Sequence, residues 1–179
     1  MFHSNTERLI DYWRNRKAER LSPLRSAIDP SDFTDLLPQV LILGRAAPGQ
    51  YLFRLAGGLV TDLHARDLRR KDFLSIWAPV DRPRLAAALE ASRRAAEPLV
   101  LTAEARTAEG LSARFEILLA PLRAEGSPQD RVLGLYQSLS PLASLRGKPA
   151  EELGLIRFST AEDRQPHLRL VVADGQRIA

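Results

Sequence analysis

Between Pro98 and Leu139 three segments of alternating hydrophobicity follow one another with little chain between them. PLVLTAEART, Pro98 to Thr107, sets Leu99, Leu101, Ala103 and Ala105 on one side against polar partners on the other. The turn AEG leads into LSARFEILLAPL, Leu111 to Leu122. AEGSPQD then leads into RVLGLYQSL, Arg131 to Leu139, where Val132, Gly134, Tyr136 and Ser138 share a face. A parallel crossover needs a dozen or more residues, so connections this short join antiparallel neighbours. A three-stranded meander therefore constrains everything else in the chain.

Two further strands precede it. VLILGR, Val40 to Arg45, is joined by the turn APGQ to YLFRLA, Tyr51 to Ala56. Alternation puts Tyr51, Phe53 and Leu55 on one face and Leu52, Arg54 and Ala56 on the other. Gly57 and Gly58 let the chain leave the sheet. GLVTDLHA reads as about two helical turns, DFLSIW as a short helix ending at Pro79, and Asp81 to Ala96 as the longest helix of the middle. In that helix Asp81 is the cap, Pro83 sits in the first turn, and Leu85, Ala88, Leu89 and Ser92 form the inner face. Strands flanking a block of helices give an α+β domain, with a five-stranded antiparallel sheet covered on one face by short helices. The space between sheet and helices is the natural place for a small-molecule pocket.

At the amino terminus Thr6 to Leu21 reads as a helix capped by Thr6 or Asn5, with Leu9, Ile10 and Trp13 on one face. A stripe this short must lie on something, either its own domain or a second copy. A proline-punctuated lead-in follows, with a short helix from Ser31 or Asp32 through Leu37, stopped by Pro38. After Pro141, ASLRGKPAEELG reads as a linker or frayed helix. Gly154 to Thr160 and His167 to Asp174 are two short strand candidates that could pair with each other or against the main domain. The organisation expected is a helix and lead-in at 1–30, the main domain at 31–141 and an extension at 142–179.

The chain has 179 residues, 45% of them hydrophobic, enough for one packed domain. It has no cysteine, which removes disulfides, thiolate metal sites, cysteinyl nucleophiles and cysteinyl-flavin photochemistry. No signal peptide or membrane span is legible, and a cytoplasmic, membrane-independent protein is expected. The formal net charge of +4 comes from dispersed arginines and reads as a solvated surface. The three histidines, His3, His64 and His167, offer no haem signature; His64, in the helical region, reads as a surface or core residue. Asp62 and His64 alone do not make a metal site. Ser138, Ser140 and Ser144 have no histidine nearby in sequence. Glu116 shares a strand side with Arg114 and Leu118 and reads as surface. There is no phosphate-binding glycine loop. None of this argues for an enzyme.

The order and spacing of elements resemble a PAS domain, more narrowly a family of stand-alone bacterial PAS proteins with an added amino-terminal helix. The resemblance rests on YWRNRKAERLSPLRSAIDP, LLPQVLIL, FRLAG, FLSIWAPVDRPRL, FEILLAPL and RVLGLYQSL. Its most specific piece is the pattern Pro23, Arg25, Asp29, Pro30. Related sequences tend to carry glycines around HARDLRRKDF; this chain has Ala65 and Arg70 there, so turns that rely on glycine are expected to be reshaped. The resemblance implies a sensory or protein-interaction module. Its partner would be a signalling protein such as a histidine kinase, and no cofactor can be named.

Four sets of residues are candidates for function. Phe53, Leu63, Phe73, Ile76, Trp77, Leu85, Leu89, Leu118 and Tyr136 would line a ligand pocket or simply fill a core. Trp77 and Tyr136 each bring a polar edge that wants a partner. Arg54, mid-strand, is either an anchor for an anionic ligand or partner, or half of an ion pair with an acidic neighbour such as Asp62. Leu9, Ile10 and Trp13 on the first helix could hold a homodimer. The basic group Arg66, Arg69, Arg70 and Lys71 could meet an acidic partner. No aromatic residues interleave with that group, so nucleic acid is not the expected partner. A small α+β enzyme or ligand carrier with an enclosed apolar pocket is the rival reading, with a basic nucleic-acid binder behind it.

Overall fold

The computed structural model describes residues 1–19 and 21–160, with 127–130 described by their backbone. Helix α1 (Ser4–Asn15) leads through 3-10 turns at Arg25–Ala27 and Pro30–Gln39 into strands β1 (Val40–Ala47) and β2 (Gln50–Ala56). Helix α2 (Gly58–His64), a 3-10 turn at Phe73–Ile76 and helix α3 (Arg82–Ala95) follow. Strands β3 (Leu99–Arg106), β4 (Ser112–Ala124) and β5 (Ser127–Ser138) form the expected meander. A 3-10 turn at Leu142–Leu145 then leads into β6 (Glu152–Thr160).

The sheet has six strands, not five, in the order β2-β1-β5-β4-β3-β6, all antiparallel. The sixth is the Gly154–Thr160 candidate, which pairs with β3 along its whole length. The His167–Asp174 candidate lies outside the described residues. The β4–β5 turn is tighter than AEGSPQD suggested, because β5 begins at Ser127.

The sheet is covered on both faces. On the inner face α2, Phe73–Ile76 and α3 pack against Leu43, Phe53, Leu101, Phe115, Ile117 and Tyr136. On the outer face α1 and the lead-in pack against Val40, Ile42, Val100, Leu118, Leu133 and Leu135. Leu9, Ile10 and Trp13 are buried there against the chain's own sheet, so they are not a surface for a second copy. The helix is shorter than expected because its apolar stripe ends at Trp13, while Leu21 is exposed. Its cap is His3, whose Nδ1 accepts from the Asn5 amide at 3.2 Å.

Three local features position these elements. Asp81 does not cap α3 with its side chain; its Oδ2 accepts from the Leu155 amide at 2.8 Å and ties the helix start to β6. Ala65 and Arg70, expected to reshape their turns, take left-handed backbone (φ 45° and 63°), the conformation that suits glycine. Gly57 is needed where it stands, since a Cβ there would lie 2.4 Å from the carbonyl oxygens of Leu37 and Pro38.

Candidate functional site

Helix α2 turns Val60, Leu63 and His64 toward the sheet. The spacing of 60, 63 and 64 is one helical face, a signal that could have placed His64 inside. Its ring meets that of Tyr136 on β5 edge-on, with centroids 6.2 Å apart. His64 Nδ1 lies 3.4 Å from the Ala150 carbonyl oxygen. A carbonyl only accepts, so Nδ1 carries the hydrogen and Nε2 keeps a lone pair. Burial, reinforced by the Arg66 charge, brings the imidazole down to about 4, and it is neutral at pH 7. Burial pushes the Tyr136 phenol upward, so it keeps its proton.

Trp77 follows the 3-10 turn that Asp72 caps through the Leu74 amide at 3.0 Å. Its ring stacks edge-on with Phe73 at 5.8 Å, and Phe73 in turn meets Phe53 at 5.8 Å. The chain after Pro141 closes this core with Leu145, Ala150 and Leu153, none of them among the expected lining residues. Ala150 donates its amide to the Leu63 carbonyl at 2.7 Å, and the Ala78 amide donates to the Leu153 carbonyl at 2.8 Å. One short strip of chain therefore touches both the His64 and the Trp77 segments.

Three polar atoms in this core have no hydrogen-bond partner among the described residues: His64 Nε2, Tyr136 Oη and Trp77 Nε1. Their residues are 4%, 0% and 0% exposed. Buried polar atoms are nearly always satisfied, and each orphan costs about 1–3 kcal/mol. Together they offer one acceptor (His64), one donor (Trp77) and one group that can do either (Tyr136).

A family model, PAS_5, described as PAS domain, matches residues 1–137. The chain belongs to the PAS domain family. The match takes in α1 and ends within β5, so β6 lies beyond it. Among solved structures, the LOV protein of Rhodobacter sphaeroides is similar at 11% identity over 66% of this chain and 72% of that one, with a TM-score of 0.47. The dark structure of the blue-light photoreceptor Aureochrome1 LOV is similar at 12% identity, over 64% and 84%, with a TM-score of 0.48. An RNA-binding light-oxygen-voltage receptor is similar at 13% identity, over 71% and 38%, with a TM-score of 0.47. No curated protein matches the chain.

In this PAS domain Phe53, Leu63, Phe73, Ile76, Trp77, Leu85, Leu89 and Tyr136 come together in the inner core. Leu118 does not. Phe115, Ile117 and Leu119 take the inner face of β4, and period-two alternation sends Leu118 to the outer core. Glu116 shares that outer side but is buried, not on the surface, because α1 covers it; its Oε1 accepts from the His3 amide at 2.9 Å.

Arg54 makes no ion pair with Asp62. It is the extra residue of a β-bulge, since Ile42 pairs with Leu55 and Leu43 with Phe53. Its exposed side chain lies over Gly44, where a Cβ would sit 2.6 Å from Arg54 Nε. The bulge also turns Leu55 away from Tyr51 and Phe53, leaving it 51% exposed. Arg66, Arg69, Arg70 and Lys71 are all exposed. The main chain of Arg70 and Lys71 pairs with Phe53, at 2.9 Å each way, and covers the free edge of β2. Among the described residues no helix is long and apolar enough to cross a membrane.

Proposed function

We propose that this PAS domain is a cytoplasmic sensory and regulatory module. It carries out no reaction of its own and acts through contacts with a signalling protein such as a histidine kinase. Its input is a small hydroxyl-bearing ligand held between sheet and helices. The carrying observation is the set of three unpartnered atoms on His64, Tyr136 and Trp77. A ligand hydroxyl can donate to His64 Nε2 or exchange a hydrogen bond with Tyr136 Oη, and a ligand acceptor can take the Trp77 Nε1 hydrogen. The core around these atoms is apolar and aromatic with few polar groups, a composition that small-molecule sites share. His64 faces a phenol ring and a backbone carbonyl, with no carboxylate or nucleophile on its ring nitrogens, which speaks against a hydrolytic role. An occupant that displaces His64 or Trp77 pulls on Ala150 and Leu153, where β6 begins, and so reaches the surface.

Native mass spectrometry and an absorption spectrum of the protein purified from its own host test this reading. An adduct is expected, and it should be lost in His64→Leu and Tyr136→Phe. A bare chain mass, with both substitutions raising stability, would mean a filled core and remove the ligand from the proposal.

A further inference from the structure

The outer face of the sheet is closed over β4 and β5 by α1 but stays open at the β1–β2 edge. There a groove of about 360 Å³ runs between the Pro30–Gln39 turns and the strands, floored by Ile28, Phe33, Ile42 and Leu133. Leu37 and Leu55, on its rim, are 38% and 51% exposed. Leu55 belongs by parity with Tyr51 and Phe53 in the inner core. The bulge at Arg54 re-aims it to this groove, and bulges commonly serve to re-aim a side chain. A second recess shares Leu55 and Ala56 with the groove and holds Arg54, Arg69 and Asp67. The apolar floor is therefore continuous with a charged border.

That border is positive. The acids of the Pro30–Gln39 turns point elsewhere: Asp32 pairs with Arg16 at 2.7 Å and Asp35 with Arg8 at 2.5 Å. Among the described residues the Arg25 guanidinium, on the groove wall, bonds only the backbone oxygen of Ile28, at 3.2 Å. The guanidinium groups of Arg54 and Arg69 have no partner among the described residues. Asp67 is the one acid of the recess, and it accepts from the Arg69 amide at 2.9 Å.

We infer that this groove docks an acidic amphipathic segment of a partner protein, its apolar side chains covering Leu55, Ile42 and Phe33 and its carboxylates meeting Arg25, Arg54 and Arg69. A second copy of the chain fits poorly, since it carries a net charge of +4 and would bring the same arginines against these. The inference rests on the reading of this PAS domain as a protein-contact module and names its docking surface.

The test uses the full chain, labelled for NMR. It is titrated with a peptide of about 14 residues, ~20 Å as a helix, bearing leucine at every third or fourth position and glutamate on the flanks. A lysine-flanked twin and a leucine-to-serine twin serve as controls. The glutamate peptide should shift Leu55 and its groove neighbours and bind at least about tenfold more tightly than either twin. Leu55→Asp and the double variant Arg54→Glu/Arg69→Glu should each cost about tenfold, and the double variant should instead favour the lysine peptide. These side chains are exposed, so melting temperatures should hold. Binding mapped to another surface, indifferent to Arg54 and Leu55, would overturn the groove but keep the contact module; no binding by any peptide would overturn the partner chemistry. A dimer abolished by Leu55→Asp would assign the groove to a second copy. Stronger peptide binding on removal of residues 161–179 would assign it to the chain's own tail.

Discussion

The two faces of the sheet are equally buried but differently satisfied. Trp13 on the outer face and Trp77 on the inner face are both 0% exposed. Trp13 Nε1 donates to the Pro121 carbonyl at 2.8 Å, while Trp77 Nε1 has no partner among the described residues. The outer face repeats this care: Glu116 takes the His3 amide, and Gln137 takes Asn5 Nδ2 at 3.0 Å. Buried atoms lacking partners on that side are scattered over separate elements, Thr6 Oγ1, Ser22 Oγ and Gln39 Oε1. On the inner face the three orphans are all aromatic-ring residues of one core. A fold able to satisfy one tryptophan at its sheet could have satisfied the other. The difference marks the outer face as a clamp, and on the reading proposed above the inner face is the one that takes a ligand.

The largest effect should come from attacking the clamp. Trp13→Ala removes a buried indole and strands the Pro121 carbonyl, for a loss of about 3–5 kcal/mol. Urea unfolding measures it. A loss below about 1 kcal/mol would mean that α1 is an appendage and would dissolve the contrast between the faces.

Acid sharpens it next. His64 is held near 4 when folded, against about 6.5 unfolded. Between those values the unfolded chain takes up a proton that the folded chain refuses, so stability falls as pH drops from about 6.5 and levels off below about 4. The total is on the order of 3 kcal/mol, and His64→Leu should flatten that window. A somewhat smaller effect belongs to the rim of the same layer. Burial pushes Glu90 up, but hydrogen bonds from Arg45 (2.8 Å), the Gly49 amide (3.1 Å), Tyr51 (2.9 Å) and Arg93 (3.1 Å) outweigh it and bring the carboxyl down to about 2. Its contribution is present above the unfolded value near 4.5 and is lost as pH falls through about 2, on the order of 2 kcal/mol. Glu90→Gln should abolish this second, more acidic loss while leaving the His64 window in place. The inner layer is thus well paired at its rim, which makes the orphans at its centre harder to dismiss as loose packing.

What the sequence disclosed follows from range. The meander was legible because short turns and period-two alternation are local. The inner core is legible except for Leu118, whose hydrophobicity suggests the pocket while its parity with Glu116 sets it outside. The outer cover was not legible, because an amphipathic helix looks the same whether it lies on its own sheet or on a copy. The bulge at Arg54 was hidden for a related reason: one extra residue is visible only once the partner strand is in register. The sixth strand is legible as a strand, but the sequence leaves open whether it pairs with the next candidate or with the main domain, since its partner β3 lies some fifty residues earlier. A smaller prediction probes that junction. Asp81→Ala removes the acceptor for the Leu155 amide and should cost about 1 kcal/mol. Amide exchange should quicken at Leu155 before it does in β4 or β5.

The smallest expected change bears hardest on the comparison. Phenylalanine keeps most of the indole's apolar bulk and drops its N–H. At Trp13 that exchange leaves the Pro121 carbonyl unpartnered and should cost about 1–2 kcal/mol. At Trp77 it removes a donor that the protein itself does not satisfy, so in ligand-free protein the change should fall within about 0.5 kcal/mol of zero or favour the folded state, once the loss of ring contact with Phe73 is counted. The measurement is a pair of urea curves on protein unfolded and refolded to strip bound molecules, then repeated on protein purified directly from its host. If Trp77→Phe is neutral in stripped protein but costly in the native preparation, the indole N–H serves an occupant. If Trp77→Phe costs as much as Trp13→Phe in both, the two faces are alike and the inner one is only another core.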